Sequence, residues 1–295
     1  MLPLNHLLYL DPDEGLSTAA CREAAYLAQA TGATLHLAPF VPPGPDAVRS
    51  AVQEETASEE IPSLRVVDFP SAPDALVDAV VQYVRAEDVE LLVTDTPADR
   101  GPVPPLAVPW MQSLLRRLEC SVLVTGHDTP LHGLERLLVP TDLTAPATTA
   151  FEHAAVLSAN STATIDLLHV IETDPYVALT RTDRLSLSAT SFPERRARRR
   201  LTSFLDVHAV PNVAVESHVA YGEPADQIAR FVNRHEVDLM VLSAPSGSAA
   251  STPSLGSVAD RVLRRVTCPV LLVRPDARLQ PNLPKVPDGP DASSM

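Results

Sequence analysis

The chain has 295 residues, long for one ordinary α/β domain and suited to two of roughly 140 each. Hydrophobic residues make up 45% of it and charged residues 20%, a core-forming composition that excludes wholesale disorder. A formal net charge of −14 argues against nucleic acid or an anionic membrane as partner, because polyphosphate repels an acidic protein; a single nucleotide held by local backbone dipoles stays open.

Followed in chain order, the sequence repeats itself. Leu7-Leu8, Ala24-Ala25, Leu27, Ala33-Thr34 and Leu37 recur as Leu137-Leu138, Ala154-Ala155, Leu157, Ala163-Thr164 and Leu167, at an offset of 130. Val89, Leu91, Val93, Leu115-Arg116-Arg117, Cys120 and Val122-Leu123 recur as Val237, Leu239, Val241, Leu263-Arg264-Arg265, Cys268 and Val270-Leu271, at an offset of 148. The second copy has therefore gained a net 18 residues, around Tyr176 to His208. The repeat divides the chain into a first domain at 1–126, a linker at 127–133 and a second domain at 134–275. The remaining tail, 276–295, carries four prolines and few large apolar residues and is expected to be disordered.

In the second copy, Arg136 to Thr141 reads as a short apolar strand. Ala147, Ala150, Phe151, Ala154 and Ala155 then fall on one face of a helix. Thr164 to Val170 is a second strand, Pro193 to Val207 a helix, and Val213 to Ala220 a third strand. Pro224 suits the first turn of a helix running to Asn233. Val237 to Leu242 is nearly all apolar, as a strand covered on both faces should be. Val258, Val262, Leu263 and Val266 form a further helical face before a last strand at Val270 to Val273. Such alternation implies an α/β fold of two tandem, doubly wound, parallel five-stranded sheets, Rossmann-like, with helices on both faces. Ligands on such sheets sit beyond the carboxyl ends of the strands, so the loops after strands one, two and four are the ones to inspect.

Two of those loops carry candidate chemistry. In Pro140-Thr141-Asp142-Leu143-Thr144 the carboxylate can accept from an adenine amino group or a ribose hydroxyl, or can simply close the turn and cap the next helix. Gly256-Ser257 opens a helix whose free N–H groups can hold a phosphate, or Ser257 is an ordinary cap.

In order, Pro140-Thr141-Asp142, His169-Val170, Tyr221-Gly222-Glu223-Pro224, Asp238-Leu239, Gly256-Ser257-Val258 and Cys268-Pro269-Val270-Leu271 resemble the signature of the universal stress protein family. The likeness covers nearly all of residues 134–275, and the two halves together look like a tandem of such domains. The resemblance implies a fold of the adenine nucleotide alpha hydrolase-like type and a mononucleotide site, usually for ATP, which magnesium accompanies. By that resemblance Pro140, Thr141, Asp142 and Val170 hold the base, and Ser243, Ser246, Gly256, Ser257 and Val258 hold ribose and phosphates. Ser243 and Ser246 stand where the ATP-binding branch has glycines; they add bulk and restrict φ, yet their hydroxyls can donate to phosphate. In the family, subunits associate through the last strand. The resemblance thus implies a pairing of Ser121–Val124 with Val270–Val273 inside the chain, and a homodimer beyond it.

The first copy departs further. Pro12 stands where Asp142 does, Asp95 and Ala98 replace Ser243 and Ser246, and Val108-Pro109 replaces Gly256-Ser257. Asp95 sets a negative charge beside any phosphate and Pro109 removes a donor, so this copy is expected to have lost the site.

Other features read as structural. Glu194 to Arg200 is a basic run and Glu54, Glu55, Glu59 and Glu60 an acidic one, both taken as solvated surface. His169 reads as a loop residue, and His153 and His208 have no partner at ligand spacing. Cys21, Cys120 and Cys268 are too scattered for a metal cluster and read as small buried residues of a reducing compartment. No metal site is expected. The sequence lacks a Walker loop, a Gly-x-Ser-x-Gly elbow and a His-Glu-x-x-His pair, so catalysis is not indicated. Apolar runs too short for a span, and a start unlike a signal peptide, lead to the expectation of a cytoplasmic stress-response module with a nucleotide as regulatory ligand. A nucleotide-independent scaffold is the first rival and a slow ATP-hydrolysing enzyme the second.

Overall fold

The computed structural model describes residues 4–11, 18–38, 63–95, 109–125, 134–159, 163–172, 187–208, 210–243 and 255–274. The first half contributes β1 (His6–Leu10), α1 (Thr18–Thr31), β2 (Thr34–Ala38), β3 (Ser63–Val66), α2 (Pro73–Ala86), β4 (Leu91–Asp95), α3 (Pro109–Arg117) and β5 (Ser121–Thr125). The second contributes β6 (Arg136–Pro140), α4 (Ala145–Ala159), β7 (Thr164–Ile171), α5 (Leu187–His208), β8 (Ala214–Tyr221), α6 (Pro224–His235), β9 (Leu239–Ser243), α7 (Ser257–Val262) and β10 (Val270–Val273). The expected 127–133 linker and the 276–295 tail lie outside the described residues.

The ten strands of the described residues form one sheet, in the order β3-β2-β1-β4-β5-β10-β9-β6-β7-β8. Within each half every pairing is parallel. The five-stranded sheets of the two halves are joined edge to edge into one. The seam is antiparallel, with Val270 opposite Val124, Leu271 opposite Leu123 and Leu272 opposite Val122. Its physical cause is that two equivalent edges, each apolar on both faces, bury their open N–H and C=O groups against one another.

Helices cover both faces. Val77 and Val80 of α2, Leu114 of α3, Ile228 of α6 and Val262 of α7 pack on one face, where Val122, Val124, Val270 and Leu272 are buried. Ala24 and Ala28 of α1, Phe151 and Ala154 of α4 and Leu201 of α5 cover the other. All five predicted face residues of α4 are buried.

Two helices differ from expectation. α5 begins at Leu187 and carries Pro193 within it, where the ring removes one backbone donor from the helix. α7 stops at Val262, and Leu263 caps it through its N–H to the Ala259 carbonyl at 2.9 Å. The chain then continues in tight turns, Val266 N–H bonding the Val262 carbonyl at 3.1 Å, which keeps Leu263 and Val266 on the core.

The repeat extends to single hydrogen bonds. One Glu90 carboxylate oxygen accepts from Asn5 N–H at 2.7 Å and from His6 N–H at 2.8 Å. Asp238, at the equivalent place, accepts from Glu135 and Arg136 N–H, both at 2.8 Å. Each acid satisfies two donors at the start of its half's central strand that the sheet cannot reach.

At the seam, Arg274 is fully buried. Its guanidinium donates to the Leu115 carbonyl of the other half, and burial pushes it down to about 10. Nearby, Arg116 of α3 and Arg264, just beyond α7, both bind the carboxylate of Asp260 in α7, the latter at 3.0 Å.

Candidate functional site

Three parallel strands, β6, β7 and β9, end at one opening whose walls α4, α6 and α7 complete. A cavity of about 370 Å³ lies there, on the side of the sheet edge where doubly wound folds place ligands. Of the residues expected at a site, Pro140, Thr141, Asp142, Val170, Ser243, Gly256, Ser257 and Val258 all line it. Ser246 lies outside the described residues.

The loop after β6 is built by local bonds. Thr141 N–H continues the parallel ladder to the Leu168 carbonyl at 2.8 Å. Thr141 Oγ1 then accepts from Leu143 N–H at 2.9 Å. Asp142 Oδ1 accepts from Thr144 N–H at 3.0 Å and from Thr144 Oγ1 at 2.6 Å. Asp142 thus does close the turn, a common use of aspartate in such loops. Its second oxygen, Oδ2, has no partner among the described residues, and the residue is exposed at the cavity.

His169 corrects the sequence reading. It is not a loop residue but lies within β7, and its Nδ1 sits 2.8 Å from the Thr141 carbonyl. A carbonyl only accepts, so Nδ1 carries the proton and donates. The ring therefore pins the β6–α4 loop from the neighbouring strand. Its position, two residues before the end of a strand flanking β6, was the available signal.

The opposite wall is the start of α7. Gly256 adopts φ 82° and ψ 146°, a left-handed φ that favours glycine, and it turns the chain so that Ser257 begins the helix. Ser257 is exposed at the cavity rim, and Val258 is half-buried. Ser243, at the end of β9, aims a buried hydroxyl that has no hydrogen-bond partner. An unsatisfied buried hydroxyl costs free energy unless something supplies a bond.

Glu223 supports this wall from behind α6. Its carboxylate caps the helix by accepting from Asp226 N–H at 2.8 Å, and it pairs with Arg261 of α7 at 2.8 Å. Burial pushes its pKa up, but the Asp226 and Ala225 N–H groups and Arg261 outweigh that and hold it below the usual range. Gly222 precedes it at φ 133°, where a Cβ would stand 2.9 Å from Gln227 Nε2.

Several lining residues were not foreseen: Leu168, Glu172, Ile228 and Leu242 among them. Leu168 sits two residues before Val170 on the same face of β7, a period-two signal that was available. Ile228 is one helical turn beyond Pro224, equally legible. Glu172 had no signal.

Elsewhere, Asp166, Glu216 and His218 converge within 4.8 Å of one another. A guanidinium already takes this place: Arg136 reaches both oxygens of the fully buried Asp166, at 2.8 and 2.9 Å, and His218 Nε2 lies 2.8 Å from Oδ1. Asp166 is desolvated, which raises its pKa, but the bonds from His218 and Arg136 win and hold it low. Cys120 and Cys268 thiols are pushed up to about 12 by burial, so they are not nucleophiles near neutrality. Among the described residues no helix is long and apolar enough to cross a membrane.

Comparison with known proteins agrees with this architecture. Residues 133–274 match the Universal stress protein family. A universal stress protein of Methanocaldococcus jannaschii is 25% identical over 140 residues, covering 48% of this chain and 82% of that one. A universal stress protein structure from Archaeoglobus fulgidus superposes with a TM-score of 0.62 at 13% identity, covering 91% of this chain and 98% of its own. A structure from Pseudomonas aeruginosa described as functionally unknown gives a TM-score of 0.68 at 20% identity, covering 92% and 93%. Residues 133–274 are thus similar to that family, and the chain as a whole shares the fold of these structures.

Proposed function

We propose that the chain is a tandem universal stress protein whose second half binds an adenine nucleotide, ATP foremost, as a regulatory ligand. The observation carrying this reading is the 370 Å³ cavity on which eight residues from four separated stretches converge. Its apolar side, Leu168, Val170 and Ile228, suits a base. Asp142 Oδ2 is available to a ribose hydroxyl or an amino group, and the Ser243 hydroxyl lacks a partner that a ligand oxygen would supply. Gly256 and Ser257 face the same space with the free N–H groups of a helix start. Among its described residues, the first half does not repeat these features. Asp95 is buried where Ser243 stands in the second half, and Pro109, the first residue of α3, has no N–H to offer.

The role is binding and signalling in the cytoplasm rather than catalysis. Titration of ligand-stripped protein with ATP and magnesium, followed calorimetrically, is expected to give one site per chain, abolished by Gly256→Pro. A second site that maps to the first half would overturn the loss of function there. No heat would favour a scaffold that works without nucleotide. Turnover abolished by Asp142→Ala with binding retained would make the protein an enzyme.

A further inference from the structure

We propose that an arginine-lined groove between α5 and the β6–α4 loop is a second ligand site, for an anion carrying several phosphoryl groups in a row. The groove, about 410 Å³, is formed by Arg196, Arg199, Arg200, Ser203 and Phe204 of α5 with Leu143 of the loop. It is distinct from the cavity above and does not rest on the nucleotide reading.

Charge is the first argument. Five of the chain's 23 Lys and Arg residues stand at positions 195–200, in a protein with 37 acids. Arg196, Arg199 and Arg200 lie at i, i+3 and i+4, so their guanidiniums are neighbours on one helix surface and repel one another. All three are exposed, and among the described residues none has an ion-pair partner. The pair formed on this stretch joins Glu194 to Arg198 at 2.8 Å. The fold takes from this part of α5 the buried Ala197 and Leu201, on another face. It draws nothing from the three guanidiniums, yet bears their mutual repulsion.

Shape is the second argument. Phe204 forms a firm apolar floor, with its ring 5.4 Å from that of Phe151 and 4.6 Å from that of His208. Leu143, at φ 64°, supplies the facing edge from the loop whose neighbours Asp142 and Thr144 line the cavity. Ser203 adds a hydroxyl donor. Guanidinium forks bind phosphoryl oxygens in bidentate fashion. A run of phosphoryl groups concentrates its charge over the one to two helical turns the three arginines span. An extended acidic peptide spreads its carboxylates over a longer path and to alternate sides.

The test uses the full chain with tripolyphosphate, magnesium-free, against ATP, a polyglutamate peptide and a short DNA duplex. Tripolyphosphate is expected to bind once per chain and to raise the melting temperature, both effects fading with added salt. Arg199→Gln should weaken it about tenfold, and the triple Arg196→Gln, Arg199→Gln, Arg200→Gln variant should abolish it. The exposed triple variant should itself melt no lower than the parent, because like-charge repulsion is relieved. Gly256→Pro should leave tripolyphosphate binding intact; ATP heat that survives in that variant and vanishes in the triple one would name a nucleoside polyphosphate as the source. Absence of tripolyphosphate binding, or binding indifferent to the triple variant, overturns the proposal. Tighter binding of the peptide or the duplex than of tripolyphosphate overturns it too, and assigns the groove to that partner.

Discussion

Between the central strand of each half and its neighbour, the two halves hold different chemistry in equivalent places. Arg136 and Asp166 of the second half correspond to His6 and His36 of the first. In the second, a bidentate ion pair with 2.8 and 2.9 Å contacts anchors β6 to β7, and His218 of β8 joins it. In the first, His36 lies 3.0 Å from His6 Nδ1 and 2.6 Å from the Tyr83 hydroxyl. Burial first, then His6 and Arg65, push His36 down to about 4, with Glu87 opposing weakly. An ion-paired network therefore braces the second half, and a pair of histidines with a tyrosine braces the first. The lesson is that duplication preserves backbone satisfaction, as at Glu90 and Asp238, while side-chain pairs are free to change.

Breaking the charged network should give the largest effect. Arg136→Ala leaves a buried carboxylate held by His218 alone and should cost about 3–5 kcal/mol in urea unfolding. His6→Ala, its counterpart, should cost about 1 kcal/mol, because one neutral hydrogen bond is lost. Equal costs would mean the two networks are equivalent.

The shared anchors should respond alike. Asp238→Ala and Glu90→Ala each strand two backbone donors near the surface, for about 2–3 kcal/mol apiece in the same assay. A large difference between them would show that the halves do not rely on the repeat equally.

Acid should separate the halves more gently. His36 is depressed in the fold, so the unfolded chain binds its proton first, and stability falls as pH drops from 6.5 toward about 4. Asp166 is also depressed, so its contribution holds above the usual carboxylate range and fades as pH falls below it. Amide exchange followed against pH should therefore show β2 losing protection at milder acidity than β7. The reverse order would overturn the contrast. Tyr83→Phe should likewise cost only about 1 kcal/mol near neutrality.

Much of this was legible in the residues. The repeat and the alternation of apolar runs are written in spacing, which is why β10 falls on Val270–Val273 as expected. The α4 face was equally plain, since Ala147, Ala150, Phe151, Ala154 and Ala155 obey the helical period. The cavity was legible where it depends on loop chemistry, as at Asp142 and Gly256, and less so where strand and helix faces such as Leu168 and Ile228 fold over it. His169 was misread because its partner is a backbone carbonyl 28 residues away, and only its place near the end of β7 hinted at it. The groove at Arg196, Arg199 and Arg200 was read as plain solvated surface, because its other edge, Leu143, is more than fifty residues distant.

By itself the sequence determined which segments are strands and helices and that they come twice, because periodicity is a property of neighbours along the chain. Only the tertiary structure decided which distant side chains share a space. Asp166 found Arg136 and His218, Arg274 found the Leu115 carbonyl, and ten strands became one sheet. Those outcomes depend on register and on desolvation, both of which exist only once the chain has closed on itself.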